Sequence, residues 1–186
     1  MKVLLVDTDV RRGRLHESYE IENTQGLGHY LMEDCSFQDV AKKTEIQNLS
    51  LVTCGESVVD SSQLFMSRRM GEFLAEARTH FDIVVYDTPP VTLISDAGIL
   101  MKELDGGLLI ARYGVTGIRE LKHGMALVHE MGVKLIGVLL NGADSRIVPR
   151  LAIALDRFRH AARKQEDPQQ AGEFFVQQAS HRLEIL

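Results

Sequence analysis

Several features that would point to a specialised class of protein are scarce in this sequence. Among 186 residues it has no tryptophan, four prolines and two cysteines, Cys35 and Cys54. Neither cysteine has a second cysteine or a pair of histidines at the spacing of a zinc site, and two cysteines do not make a disulfide framework. The cysteine content therefore favours neither a disulfide scaffold nor a zinc site, and it fits a reducing cytosol.

Long apolar segments and an excess of positive charge are also missing. The opening apolar run ends at Asp7, too early for a secretory signal, and no stretch approaches the roughly 20 residues of a membrane-spanning helix. The formal net charge is -5, whereas nucleic-acid binders usually carry a basic face. We expect a cytoplasmic protein that binds no nucleic acid and reaches the inner membrane only peripherally, through a partner.

The residues that are present predict an α/β fold. Near-continuous apolar runs, typical of strands buried on both faces of a parallel sheet, occur at Val3 to Val6, Leu49 to Val52, Ile83 to Tyr86, Gly107 to Ala111 and Leu135 to Leu140. Helical spacing of apolar residues lies between them, from Met66 to Ala77 and from Ile118 to Val128, where Gly132 closes the second helix. The alternation predicts a doubly wound, mostly parallel sheet with helices on both faces.

Two expectations about side chains and chain organisation accompany this fold. Met66, Met70 and Met125 lie at helical spacing and are expected to pack in the core. Residues 1–146 are expected to form the nucleotide-binding core and residues 147–186 a helical tail, with a linker at 164–172 around Pro168.

Polar residues follow three of the predicted strands. Asp7 and Asp9 follow the first strand, Asp87 the third and Asn141 the fifth. Ligands of such sheets bind at the carboxyl ends of the strands, and carboxylates there can hold Mg²⁺ together with phosphate oxygens. The run Arg11 to Arg14 adds guanidinium groups suited to phosphate. Spacing alone leaves open a second interpretation, in which the aspartates begin a loop and the arginines form a solvated surface.

Residues 3–12, Val-Leu-Leu-Val-Asp-Thr-Asp-Val-Arg-Arg, resemble the Walker A′ motif of the bacterial protein-tyrosine kinases. These are the capsular and exopolysaccharide autokinases among the deviant-Walker P-loop NTPases. Residues 81–90 resemble the Walker B strand of that family, which ends in Asp-Ser/Thr-Pro-Pro. Residues 95–97 and 138–142 match further family segments, so the resemblance runs from about residue 2 to about residue 145.

The resemblance implies an ATP-dependent enzyme that phosphorylates tyrosines in the tail of a neighbouring subunit. Implied partners are a membrane polysaccharide chain-length regulator that activates the kinase and further copies in a homo-oligomer. ATP and Mg²⁺ are the implied cofactors. By position, the implied roles are catalysis for Asp7 and Asp9, metal binding for Asp7, Asp9 and Asp87, and nucleotide binding for Arg11, Arg12 and Asn141.

The sequence departs from the family pattern in two places. It contains no G-x-x-x-x-G-K-[ST] motif, which in the family precedes the Walker A′ segment and whose amides and lysine hold the phosphates. We therefore expect these residues alone to bind ATP weakly or not at all, and we expect the missing strand to leave two neighbouring strands unpaired. All four tyrosines (Tyr19, Tyr30, Tyr86 and Tyr113) precede the tail, so the substrate tyrosines of the family are absent from it.

Two alternatives to a kinase remain open at the level of sequence. A deviant-Walker ATPase of the division-site or partition type would share the D-x-D and Walker B features. A non-catalytic adaptor that docks on the chain-length regulator would explain the absent phosphate loop. A gene that begins further upstream, or a truncated form of a longer protein, would explain the same absence.

Overall fold

The computed structural model describes residues 1–32, 35–56, 61–91, 95–143 and 173–176. The chain divides into two compact units, Met1–Leu100 and Met101–Leu186. No helix within the described ranges is long and apolar enough to cross a bilayer.

The first unit is built on a four-stranded sheet with the order β2-β3-β1-β4. Its strands are β1 (Val3–Asp7), β2 (Lys42–Lys43), β3 (Leu49–Val52) and β4 (Ile83–Asp87). β1 lies between β3 and β4 and runs parallel to both, while β2 is antiparallel to β3. Three predicted strands are therefore confirmed. β2 consists of two lysines, and no apolar pattern marks it in the sequence.

Among the described residues, five helices lie in the first unit and a sixth spans its boundary: α1 (Leu15–Ser18), α2 (Leu27–Leu31), α3 (Phe37–Val40), α4 (Ser61–Phe65), α5 (Arg68–His80) and α6 (Ser95–Met101). Aromatic rings from three of them meet in the core, with Phe73 5.3 Å from both Tyr30 and Phe37 between ring centroids. Leu4 and Val6 of β1 are fully buried. The centre of this sheet is therefore held by apolar contacts that surround the strand leading to Asp7.

The predicted helix from Met66 to Ala77 is corrected by the structure. α5 begins at Arg68, because the Ser67 side chain accepts a hydrogen bond from the Met70 amide and so caps the helix. Met66 lies before this cap and is 64% exposed, so its expected core role is wrong. Met70, Phe73, Leu74 and Ala77 are buried, as their spacing predicts.

The second unit contains a three-stranded parallel sheet with the order β5-β6-β7. Its elements are β5 (Gly107–Arg112), α7 (Ile118–Glu130), β6 (Leu135–Asn141) and β7 (Glu173–Val176). Gly132 has a φ of 72° after α7, the left-handed conformation that suits glycine at the end of a helix. Ile118 was expected on the buried face of α7 but is 72% exposed, because it is the first residue of the helix.

The expected helical tail is wrong at residues 173–176, which form β7. This segment, Glu-Phe-Phe-Val, pairs with residues 137–140 of β6. Aromatic and β-branched residues favour such a strand where a neighbouring strand is available. The rest of the expected tail, residues 147–172 and 177–186, lies outside the described residues, and so does the predicted linker at 164–172.

Two strands are less buried than their apolar sequences predict. Ile83 and Val85 of β4 are 42% and 47% exposed, and Leu108 and Ile110 of β5 are 46% and 61% exposed. Within the described ranges, β4 ends the first sheet and β5 ends the second. The α/β fold with mostly parallel strands is confirmed, but burial of both faces is wrong for these two end strands.

Candidate functional site

The carboxyl ends of β1 and β4 bring two aspartates together. β1 and β4 are parallel, and Asp7 is the residue in register with Asp87. Thr8 fixes this arrangement, since its amide and its hydroxyl both donate to the Asp87 backbone oxygen, at 2.9 and 2.5 Å. The sequence prediction that these carboxylates meet at one edge of the sheet is therefore supported by the register.

Asp7 is fully buried and its carboxylate is held by backbone amides. Oδ1 accepts from the Asp9 amide at 3.2 Å and Oδ2 accepts from the Leu15 amide at 3.0 Å. Burial raises the pKa of Asp7, and the charges of Asp87 and Asp9 raise it further, although the two amide bonds oppose the shift. The side chain is thus fixed in place before any ligand arrives.

Gly13 is a site residue that the sequence analysis missed. A Cβ atom at this position would lie 2.4 Å from Asp7 Oδ1 and 2.5 Å from Oδ2. Only glycine therefore lets the loop after Asp9 pass so close to the Asp7 carboxylate. The one signal in the sequence is the glycine that directly follows the two arginines.

Asp9 shapes the turn that carries the arginines. Its Oδ1 accepts from the amides of Arg11 and Arg12, at 3.3 and 3.0 Å, and its backbone oxygen accepts from the Gly13 amide at 2.6 Å. An aspartate that bonds to amides two and three residues ahead stabilises a turn. Asp9 therefore has a structural role here, in addition to the catalytic and metal roles that its position predicts.

Asp87 completes the acidic group. Partial burial raises the pKa of Asp87, and the charge of Asp9 adds to this effect. Since the Asp9 charge acts on both Asp7 and Asp87, the three carboxylates share one negative region.

This region fits a magnesium ion that takes only part of its coordination shell from protein. In the part of the chain that the structure describes, no group of three His, Cys, Asp or Glu side chains could hold a metal. A dedicated protein cage is therefore not formed by those residues. Mg²⁺ in nucleotide sites usually takes one or two carboxylates and completes its octahedron with water and phosphate oxygens. Asp7 and Asp87 can supply those two carboxylates.

The arginines near the site lie on the surface of the loop that follows Asp9. Arg11 and Arg12 are exposed. Arg14 is engaged, because its Nε and Nη2 donate to the two carboxylate oxygens of Glu17 at 2.9 and 2.6 Å. The predicted contacts of Arg11 and Arg12 with nucleotide remain predictions.

Asn141 lies in the second unit, at the end of β6. Its backbone oxygen accepts from the Tyr113 amide at 2.8 Å, which ties the ends of β5 and β6 together. Asn141 itself is exposed. Its role in base recognition remains a prediction.

Cys54 packs against the site without a reactive environment. It is 3% exposed, and its thiol lies 3.5 Å from the Gly13 backbone oxygen. Burial raises the pKa of Cys54, and the charge of Asp7 raises it further, so the thiolate is disfavoured. This residue supports the loop rather than the chemistry.

Comparison with known proteins agrees with this geometry. A model of the AAA domain family matches residues 1–134. The tyrosine-protein kinase wzc of Salmonella typhi is 35% identical over 145 residues, which is 78% of this chain and 20% of that protein. The chain thus spans about a fifth of the length of that relative.

Solved structures show the same relationship. The kinase domain of Escherichia coli tyrosine kinase ETK aligns with a TM-score of 0.75 and 33% identity over 78% of this chain and 57% of that chain. The septum site-determining protein MinD of Pyrococcus horikoshii, solved with Mg-ADP, aligns with a TM-score of 0.58 and 22% identity, over 78% of this chain and 60% of that one. That likeness shows a common fold. The chain belongs to the bacterial protein-tyrosine kinases, a group of deviant-Walker P-loop NTPases, although its sequence has no G-x-x-x-x-G-K-[ST] loop.

Proposed function

We propose that this chain is the nucleotide-binding core of a protein-tyrosine kinase that controls capsule or exopolysaccharide synthesis. The observation that carries the proposal is the pairing of Asp7 with Asp87 at adjacent parallel strand ends in a member of this family. The D-x-D-x-R-R and Asp-Thr-Pro-Pro sequences favour the kinase over a division-site or partition ATPase.

The aspartates have separate proposed roles in this chemistry. Asp7 and Asp87 hold Mg²⁺, which when bound neutralises charge on the nucleotide phosphates. The fixed position of Asp7, between two backbone amides, orients its carboxylate without further rearrangement. Asp9 accepts the proton of the attacking tyrosine hydroxyl and keeps the arginine turn in shape. Arg11 and Arg12 contact phosphate or a neighbouring subunit, and Asn141 contacts the base.

The 186 residues by themselves are proposed to bind ATP weakly. Asp7, Asp9 and Asp87 present like charges to an anionic nucleotide, and no glycine-lysine loop in the sequence supplies amides and a cation to offset them. The same observation favours a second candidate function, a non-catalytic adaptor that docks on a membrane polysaccharide chain-length regulator. Oligomerisation with further copies belongs to the kinase proposal.

Calorimetric titration of Mg-ATP tests the proposal. Two proteins are compared: the 186-residue chain, and the same chain preceded by the strand, G-x-x-x-x-G-K-T loop and helix of a related kinase. We expect negligible heat from the first protein and binding by the second. Asp7→Ala and Asp87→Ala should abolish that binding. Glu130→Ala is the control, since Glu130 is an exposed residue of α7, and it should leave binding unchanged.

The outcomes separate the candidates. Tight binding by the 186 residues that depends on Asp7 and Asp87 would contradict weak binding. A folded extended protein that fails to bind would contradict the kinase core and support the adaptor. Transfer of phosphate to tyrosine identifies a kinase, whereas ATP turnover without such transfer identifies an ATPase.

A further inference from the structure

Of the four tyrosines, all of which lie in the described residues, Tyr113 alone is exposed. Tyr113 is 41% exposed, whereas Tyr30 is fully buried. Tyr19 and Tyr86 are half-buried, and Tyr86 lies within β4. Burial raises the pKa of Tyr19 and of Tyr30, which reflects hydroxyl groups withdrawn from water. An enzyme acting on the folded chain would reach the Tyr113 hydroxyl first.

Tyr113 lies on a well-ordered turn between β5 and α7. The Arg112 amide donates to Thr116 Oγ1 at 2.9 Å, and the Thr116 amide donates back to the Arg112 oxygen at 2.8 Å. Gly114, with a φ of 72°, allows the chain to reverse within this short loop. Val115 is 68% exposed beside it. The turn therefore projects Tyr113 and Val115 from the second unit on a closed hydrogen-bonded loop.

The sequence around this turn is basic in an acidic protein. Arg112 directly precedes Tyr113, and Arg119 lies in the first turn of α7; both are exposed. The nearest acidic side chain along α7, Glu120, is used locally, since its Oε2 accepts from the Gly117 amide at 2.9 Å. The whole chain, by contrast, has a formal net charge of -5. The positive charge of this turn would attract it to an anionic kinase site that holds ATP. The same arginines would partly neutralise the negative charge of a phosphate on Tyr113.

We propose that Tyr113 is a phosphorylation site, modified by another kinase molecule of the same family that holds Mg-ATP. This rests on the proposed function, because it names a tyrosine substrate for that chemistry. The transfer is between molecules, because the 186 residues by themselves are proposed to bind ATP weakly. The Tyr113 oxygen forms a bond to the γ-phosphorus, the bond from that phosphorus to the bridging oxygen breaks, ADP leaves, and the phenolic proton passes to a carboxylate of the acting kinase.

The modification changes the charge at one defined place. A phosphotyrosine adds a charge of about -1.5 to -2 at neutral pH. In sequence it would directly follow Arg112 and precede Arg119 by six residues. The Tyr113 amide donates to the Asn141 backbone oxygen, so the modified residue is attached to the end of β6 that carries the predicted base contact.

The test supplies the acting kinase separately. The 186-residue chain is incubated with Mg-ATP and the active ETK kinase domain of Escherichia coli, and the modified tyrosines are assigned by mass spectrometry. We expect phosphate on Tyr113 as the main site, a fall in total incorporation of about fivefold or more in Tyr113→Phe, and no change in the matched control Tyr19→Phe.

A second pair of variants tests the role of charge. Arg119→Gln is expected to lower the initial rate of Tyr113 modification by about threefold with an unchanged circular dichroism spectrum. Lys102 is also exposed, and Lys102→Gln is expected to leave that rate unchanged. An unchanged rate in Arg119→Gln would contradict the electrostatic part of the proposal.

The proposal is overturned if the folded chain takes phosphate on Tyr19, Tyr30 or Tyr86 instead, or on no tyrosine, while the added kinase phosphorylates its own tyrosines in the same reaction. Because the added kinase supplies the nucleotide site, that outcome is distinct from a failure of this chain to bind ATP.

Discussion

At the scale of single residues, Gly13 controls the space around the Asp7 carboxylate. We expect Gly13→Ala to destabilise the protein by about 1–3 kcal/mol, because the new Cβ would lie 2.4 Å from Asp7 Oδ1 and must displace it. Urea unfolding measures the change. The matched control is Gly71→Ala in α5, where a Cβ meets nothing within 4 Å and stability should rise by about 1 kcal/mol. Equal effects at both positions would contradict the packing argument.

Asp87 gives stability a dependence on pH. The pKa of Asp87 is raised above the usual 3.8 in the folded protein, so the folded state favours the protonated carboxyl. The contribution of this group to stability is fully present below the unfolded pKa and is lost as pH rises through the folded pKa. Asp87→Asn removes this loss. We expect the variant to be more stable than the parent by less than about 1 kcal/mol near pH 7, after allowance for solvent screening, and equal to it near pH 3.

Urea unfolding at both pH values measures the effect of Asp87→Asn. Glu17→Gln is a useful comparison, because the hydrogen bond from Arg14 lowers the pKa of Glu17 and its effect should have the opposite sign. The prediction is contradicted if Asp87→Asn is less stable than the parent at neutral pH and has the same pH dependence. That result would show that the folded state stabilises the charged carboxylate of Asp87.

At the scale of elements, β4 has one side bonded to β1 and one side open among the described residues. The Ile83 amide donates to the Lys2 oxygen, and the Asp87 oxygen accepts from the Thr8 amide. Since backbone groups alternate along a strand, Val85 also faces β1 and Val84 faces away. We expect Val85→Pro to cost about 3 kcal/mol or more and Val84→Pro less than about 1 kcal/mol.

Chemical denaturation of the two proline variants measures this difference, with Val84→Ala as the control for the lost side chain. Equal losses at the two positions would mean that the open side of β4 is paired in solution. Such a result would also count against β4 as one of the two strands that the missing strand is expected to leave unpaired.

At the scale of the whole molecule, the proposed weak affinity for nucleotide has a thermodynamic consequence. A ligand at a concentration equal to its Kd stabilises the folded state by about 0.4 kcal/mol. Weak binding as proposed corresponds to a Kd of about 1 mM or weaker, so we expect 1 mM Mg-ATP to raise the Tm of the 186-residue chain by less than about 2 °C. A rise of 5 °C or more that disappears in Asp87→Ala would contradict weak binding.

Much of the site was predictable because its residues are local in sequence. The apolar run that ends at Asp7 and the run that ends at Asp87 identify strands and mark their polar ends. Parallel strands place such ends at one edge of a sheet, so the meeting of the two aspartates follows from the strand pattern. The absence of the glycine-lysine loop was equally evident from the sequence.

Other features depend on partners that are distant along the chain. Met66 has helical spacing, but the cap formed by Ser67 places it in a turn, and Ile118 is exposed because it is the first residue of α7. Residues 173–176 form a strand because β6 offers an edge to pair with. The role of Gly13 appears only when the loop folds back on Asp7.

The sequence alone determined the α/β class, the positions of β1, β3, β4, β5 and β6 along the chain and the acidic residues at the ends of β1 and β4, because these follow from local apolar patterns. Only the tertiary structure decided which strands are neighbours, that they form two sheets within the described residues, which arginine is engaged by Glu17 and which tyrosine is exposed. Each of these depends on contacts between residues far apart in the chain, or on the geometry of one turn, and neither is encoded in the spacing of apolar residues.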